Sequence, residues 1–151
     1  MIERTITTWI IIIFGVITFL PLFFAQTLAL LRPNDKKTRD ILIGKGKDWR
    51  DKTHFKSAKA FAWADLLVLF PLIIAGSIGV VLSQSWSYLL WIASGFIAIY
   101  FNILTWVLEK EYTYPSYGPL AYYTYYWGFF LYWGVAAIVY SVYRLFELKI
   151  I

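Results

Sequence analysis

Between Thr8 and Leu31 the chain reads "TWIIIIFGVITFLPLFFAQTLALL", without a single charged side chain. A helix needs about 20 apolar residues to cross the hydrocarbon core of a bilayer, and a run of this kind has few other stable destinations. Three further stretches read the same way, at about 58–82, 87–108 and 120–143. The first is too long for the apolar region of a signal peptide and lacks a small-residue cleavage site, so it is expected to stay as a helix. The fold class expected is therefore all-α: a polytopic membrane protein, 1–151 forming one domain of four transmembrane helices in an up-down bundle.

Composition agrees with that class. The chain is 60% hydrophobic, 21% aromatic and 15% charged, against roughly 45–50% apolar and 25% charged in soluble domains. A soluble monomer of this size would be covered in exposed apolar surface. With no cysteine, disulfides, thiolate metal sites and cysteine nucleophiles are excluded. One histidine, His54, leaves nothing from which to build a histidine metal centre or a Ser-His-Asp set, and no metal or other cofactor is expected.

The net charge of +5 is a statement about topology rather than nucleic acid, because ten of the 14 Lys and Arg fall between Arg32 and Lys59. Lys110 adds an eleventh on the same side of the bundle. Only Arg4, Arg144 and Lys149 lie on the other. Basic side chains favour cytoplasmic loops. Loops 32–57 and 109–119 are thus expected in the cytoplasm, with both termini outside. Trp9, Trp86 and Tyr88 then fall near the outer interface. Trp49, Trp106 and the run "YTYPSYGPLAYYTYYW" fall near the inner one, where amphipathic rings favour the headgroup zone. The basic loop also carries four aspartates with Ile41, Leu42, Ile43, Trp49 and Phe55. Such a mixture suits a segment resting on an anionic leaflet; the plainer reading, a loop that fixes topology, is preferred. Its "GKGK" lacks the Lys-Ser/Thr pair and the helix start that complete a phosphate-binding loop.

One ionisable group interrupts the apolar runs. Asp65 stands in "FAWADLLVLFPLIIAG" six residues beyond Lys59, about 9 Å into the bilayer at about 1.5 Å per residue. The same ruler puts Gln26 about 9 Å from Arg32 and Asn102 about 10 Å from Glu109, with Thr124 slightly shallower beside Tyr125 and Tyr126. Each span so places a hydrogen-bonding group in one layer. Helical spacing aligns Gly15, Thr18, Leu22, Gln26 and Ala29 on the first span, and Gly95, Ala98, Asn102, Thr105 and Glu109 on the third. On the second it aligns Asp65, Val68, Leu72, Ala75 and Gly79, and on the fourth Thr124, Gly128, Leu131, Gly134 and Ser141. Small residues on such stripes permit close approach, and polar ones hydrogen-bond across it. Pro21 and Pro71 each remove a helical hydrogen bond at matching depth, so two kinks are expected, with room for a cavity between the first two helices.

An intramembrane carboxylate is by default a functional-site hypothesis, with interhelical glue the structural alternative. Candidate ligand or ion-binding residues are Asp65, Asn102, Gln26, Thr124, Tyr126 and Thr105. The role expected first is a non-catalytic subunit or binding module of a membrane complex, with lipids, other membrane subunits or further copies of the chain as partners and no nucleic acid. The alternatives are an oligomeric carrier of a small molecule, lipid or ion, and a membrane-embedded enzyme. In layout the chain resembles membrane-associated eicosanoid and glutathione enzymes: similar length and span number, a basic first loop, and an acid before a proline on the second helix. Their Arg–Asn–Glu pattern is missing from "AKAFAWADLL", where Ala62 stands in place of the Asn, so glutathione binding is not implied.

Overall fold

The computed structural model describes residues 3–111 and 128–146. Among these residues regular structure is entirely helical. Helix α1 spans Ile6–Leu31, α2 Lys36–Leu42, α3 Lys52–Ala64, α4 Phe70–Val81, α5 Trp86–Glu111 and α6 Phe129–Leu145. A π-helical turn, Asp65–Leu69, joins α3 to α4, so that Lys52–Val81 is one continuous helix. Three helices are long and apolar enough to cross a membrane: α1, the α3–α4 rod and α5. Helix α6 is apolar but shorter, at 17 residues. The start of the fourth expected span, 120–127, lies outside the described residues, as do Thr124 and Tyr126.

Helices α1 and α3 begin where a side chain can take up the free backbone amides of the first turn. Thr5 closes a capping box with Thr8 at the start of α1. Asp51 accepts from Thr53 N at 2.6 Å and His54 N at 2.8 Å at the start of α3. That cap explains why the second long helix starts at Lys52, six residues earlier than its apolar run. It also holds the Asp51 carboxyl below the usual carboxylate range, chiefly through the His54 amide.

The segment between α1 and α3 is folded rather than draped. Ile43 and Thr38 are buried, and Leu42 packs against the core. After α2 the chain turns through Gly46, whose φ of 75° favours a residue without a Cβ, and Gly46 N donates to Asp40 Oδ1 at 3.0 Å. Arg39 then pairs with Asp48 at 2.8 Å and holds that carboxyl low. Trp49 meets the rings of His54 and Phe55 edge to face at 5.3 and 5.2 Å. Burial pushes the His54 imidazole below its ordinary value, with Arg50 adding to the effect and Asp51 opposing it.

The core is aromatic. Trp91, Trp133, Tyr88 and Phe130 are its largest fully buried side chains. Phe19 stacks on Phe130 at 5.0 Å and meets Trp133 edge to face at 4.8 Å. In a bilayer, lipid tails would be as apolar as these side chains, so packing rather than escape from water would draw the helices together. Backbone approaches backbone where α5 meets α6. A methyl group added at Gly134 would lie 2.7 Å from Gly95 O, and one added at Gly95 would lie 2.9 Å from Gly134 O. Helix α4 also lies along α5, α1 lies against α3 and α6, and α1 touches α4 only sparingly.

Candidate functional site

The backbone that follows Asp65 is shaped by Pro71. A proline at 71 has no N–H to give to the carbonyl one turn back, so a regular α turn would leave that acceptor unpaired. The backbone widens instead: Phe70 N donates to Asp65 O, five residues away. Turns of this kind cluster at functional sites in other proteins. The extra residue also moves the inward face. Beyond Asp65 the buried positions are Leu69, Phe70, Ile73, Gly76, Gly79 and Val80, and of these only Gly79 lies on the stripe that regular spacing predicts. Each of Leu69, Ile73, Gly76 and Val80 lies one residue past the position that α-helical spacing predicts, so Val68 and Ala75 face outwards. The accommodation at Pro71 is thus a widened turn. Pro21 lies within the unbroken helix α1.

The carboxylate itself is buried, 3% exposed, on the inner side of the helix pair. Gln26 Nε2 donates to Asp65 Oδ2 at 2.7 Å across the α1–π-turn interface. Gln26 is 5% exposed and belongs to a stripe on α1 in which Gly15, Thr18, Leu22 and Ala29 are also buried. Among the described residues Gln26 is the single donor to the carboxylate, and the ion pair between Arg39 and Asp48 lies elsewhere.

Asn102 lies on the buried face of α5 and is 1% exposed. Phe101 beside it meets Phe61 of α3 edge to face at 4.9 Å, so α5 passes the π turn at this level. No hydrogen bond joins Asn102 to Asp65 or Gln26, however, and its Oδ1 is buried without a partner among the described residues. Thr105 is turned away from the layer: its hydroxyl donates back to Phe101 O at 2.7 Å and to Asn102 O at 3.2 Å. The structure therefore brings together two of the predicted residues, Gln26 and Asp65, and leaves Asn102 buried on α5 without a bond to either.

One turn from the polar pair the character of the interface changes. A cleft of about 360 Å³ separates α1 from α4. Its floor is buried and apolar, formed by Ile11, Phe19, Phe70, Ile73 and Trp133, while Val16, Leu20, Ile74 and Ile78 stand half-exposed at its lips. Ser77, its one hydroxyl, accepts from Trp91 Nε1 at 3.2 Å. Phe23 and Phe70 meet edge to face at 5.1 Å across the two helices. These rings mark the end of the cleft nearest Asp65, since Gln26 lies three residues beyond Phe23 and Phe70 N is bonded to Asp65 O. The cavity expected between the first two helices is there. It lies beside the widened turn.

A second polar cluster, not anticipated from the sequence, ties the opposite end of the bundle. Thr5 and Thr8 each lie 2.6 Å from the Tyr140 hydroxyl. Arg144 Nη2 donates to Glu3 O, and its guanidinium lies 5.9 Å from the Tyr140 ring centre. Tyr88, expected at an interface, is fully buried here. The signal for this cluster is the Thr5–Thr8 capping spacing together with the Tyr140–Arg144 spacing of four.

Among the described residues no group of three or more potential metal ligands occurs. No family model, curated protein or solved structure matches this chain.

Proposed function

We propose that the chain is a four-span membrane protein with both termini outside and loops 32–57 and 109–119 in the cytoplasm. In this reading it is a non-catalytic binding module, or the binding subunit of a larger membrane complex, with a polar intramembrane site at Asp65 and Gln26. The single observation that carries the reading is the buried 2.7 Å bond between these two side chains in an otherwise apolar helix pair. A carboxylate held away from water with one neutral donor is costly to keep. Glue between helices needs only a neutral hydrogen-bonding pair, so the acid calls for a further role. The orientation is supported by the eleven-to-three imbalance of basic residues. Half-exposed Trp9, Trp86 and Trp106 supply amphipathic rings for the two headgroup zones, and the lysines of the 32–57 loop supply a surface for anionic lipid.

Purification in a mild detergent, with identification of whatever accompanies the chain, tests this directly. A monodisperse chain whose melting temperature responds to added amphiphiles only while Asp65 is intact fits the binding module. A chain that is well behaved only with other polypeptides attached fits the subunit form. A monodisperse chain indifferent to every amphiphile and to Asp65→Asn overturns both. Transport by an oligomer is a second reading, favoured by the cleft that opens beside the acid, and uptake into vesicles would reveal it.

A further inference from the structure

The cleft and the carboxylate have complementary needs. The cleft offers an apolar floor of aliphatic and aromatic side chains with lips that open outward from the helix pair. An acyl tail of the surrounding lipid fills such a space without any help from a charge. At its end, however, stands an acid that has one amide donor and, among the described residues, no cationic neighbour. A buried carboxylate is stabilised most by a cation brought to it in the same dry surroundings. Between the two lie the rings of Phe23 and Phe70, whose faces attract an ammonium group more than a neutral or anionic one. Phe23 has the more room to turn aside, being 36% exposed where Phe70 is 5% exposed. Asn102 adds a buried acceptor without a partner among the described residues at the same level, again a feature that a donor-rich head would satisfy and an anion would not.

From this we infer that the α1–α4 cleft and the Asp65–Gln26 pair form one site for a cationic amphiphile. Its single apolar tail lies in the cleft, and its ammonium head passes the Phe23–Phe70 rings to reach Asp65. This rests on the binding reading and names the ligand class for it. The volume is at the small end of ligand sites, which fits one tail rather than two. Anionic amphiphiles are excluded by the acid, and neutral ones lose the head contact but keep the tail contact.

The experiment uses the full chain in detergent micelles and compares three probes of equal tail length: dodecylammonium, whose head carries three N–H donors, dodecanol and dodecyl sulfate. Saturable binding is followed by quenching of tryptophan emission, with Trp133 in the cleft as reporter. The ammonium probe is expected to bind about tenfold more tightly than the alcohol, the size of one charge-assisted contact, and the sulfate more weakly than both. Asp65→Asn is expected to abolish the difference between ammonium and alcohol, and Asp65→Glu to restore part of it. Ile74→Phe at the lip, where the side chain is half-exposed and has room to change, is expected to weaken all probes alike without adding a second emitter to the cleft. Equal binding of the three probes by the wild type, or a preference for ammonium that survives Asp65→Asn, overturns the cationic class while leaving a binding cleft. Absence of saturable binding by any probe overturns the binding reading itself. Insensitivity to Ile74→Phe moves the tail out of the cleft and overturns the combined site.

Discussion

The α5–α6 and α1–α4 helix pairs solve the same problem in opposite ways. At Gly95 and Gly134 the first pair brings backbone against backbone, so close that a methyl group on either would meet the other's carbonyl oxygen at 2.9 or 2.7 Å. The second pair sets Phe19, Phe23 and Phe70 between the axes and keeps a space of about 360 Å³. Both surfaces are apolar, so hydrophobicity does not distinguish them. The size of the facing residues does: in lipid, contact is gained by atoms that touch, and small residues let many atoms touch. A seam of glycines is therefore a closed contact, and a seam of phenylalanines with one hydrogen bond at its end is an open one.

The sharpest way to break this contrast is to give the closed seam a side chain. Gly134→Leu is expected to destabilise the protein by about 3 kcal/mol or more, because the atom it meets is backbone and does not move aside, as measured by unfolding in mixed micelles. A cost below that of losing the Gln26–Asp65 bond would mean that the close approach contributes little. Next in size is that bond itself, which closes the open seam. Gln26→Leu strips the buried carboxylate of its donor and is expected to cost about 1–2 kcal/mol. A double-mutant cycle with Asp65→Asn separates the pair's coupling from the two single losses.

At the far end of α1, Thr5→Val removes the cap and one partner of Tyr140, with an expected cost of about 1 kcal/mol. Hydrogen exchange should show the loss confined to the first turn of α1. On the lip of the cleft, Ile74→Ala is expected to change stability by about 0.5 kcal/mol or less, since its side chain is half-exposed and the space around it is already open. A larger loss would show that the two helices lean on the lip after all.

Smallest, and outside both seams, is the response of the α3 start to acid. The folded chain holds the Asp51 carboxyl below its usual range and the His54 imidazole below its own. Both groups then bind protons more readily when unfolded, so the stability they contribute is complete near neutrality. The histidine share falls as pH drops below its unfolded value of about 6.5, and the aspartate share as pH drops below about 3.9. A proton on His54 Nδ1 also removes the acceptor for Arg50 N. Amide exchange in the first turn of α3 should quicken on acidification while α5 and α6 stay unchanged. A uniform response across the helices would count against this local origin.

How much of this is legible in the residues differs from helix to helix. On α1 and α5 the regular 3.6-residue period needs no structure to decode, and counting alone places Gly15, Thr18, Leu22, Gln26, Ala98 and Asn102 on inner faces. The common depth of Gln26 and Asp65 comes from the same counting, starting at the basic residues that end each apolar run. What periodicity does not contain is the backbone's answer to Pro71. A kink and a widened turn both relieve the missing N–H, and only the second moves the inward face on by one position. Regular spacing therefore puts Val68 and Ala75 on the wrong face. Hydrogen-bond partners are harder still. Asn102 shares the level of Asp65, yet level does not fix direction around a helix axis as closely as a bond demands. Tyr88 misleads because a tyrosine near a helix end fits an interface and a tight corner equally well, and here the corner takes it.

The continuity of Lys52–Val81 has a mechanical side. A single rod of 30 residues, about 45 Å long, has its foot in the charged segment, clasped by Asp51 and leaned on by Trp49. Its shaft carries the acid about four turns higher. A twist or push delivered at the foot travels along stiff α-helix until it meets the first compliant section, which is the enlarged turn that begins at Asp65. Among the described turns of that rod, the acid thus stands where the hydrogen-bond ladder departs from its regular register.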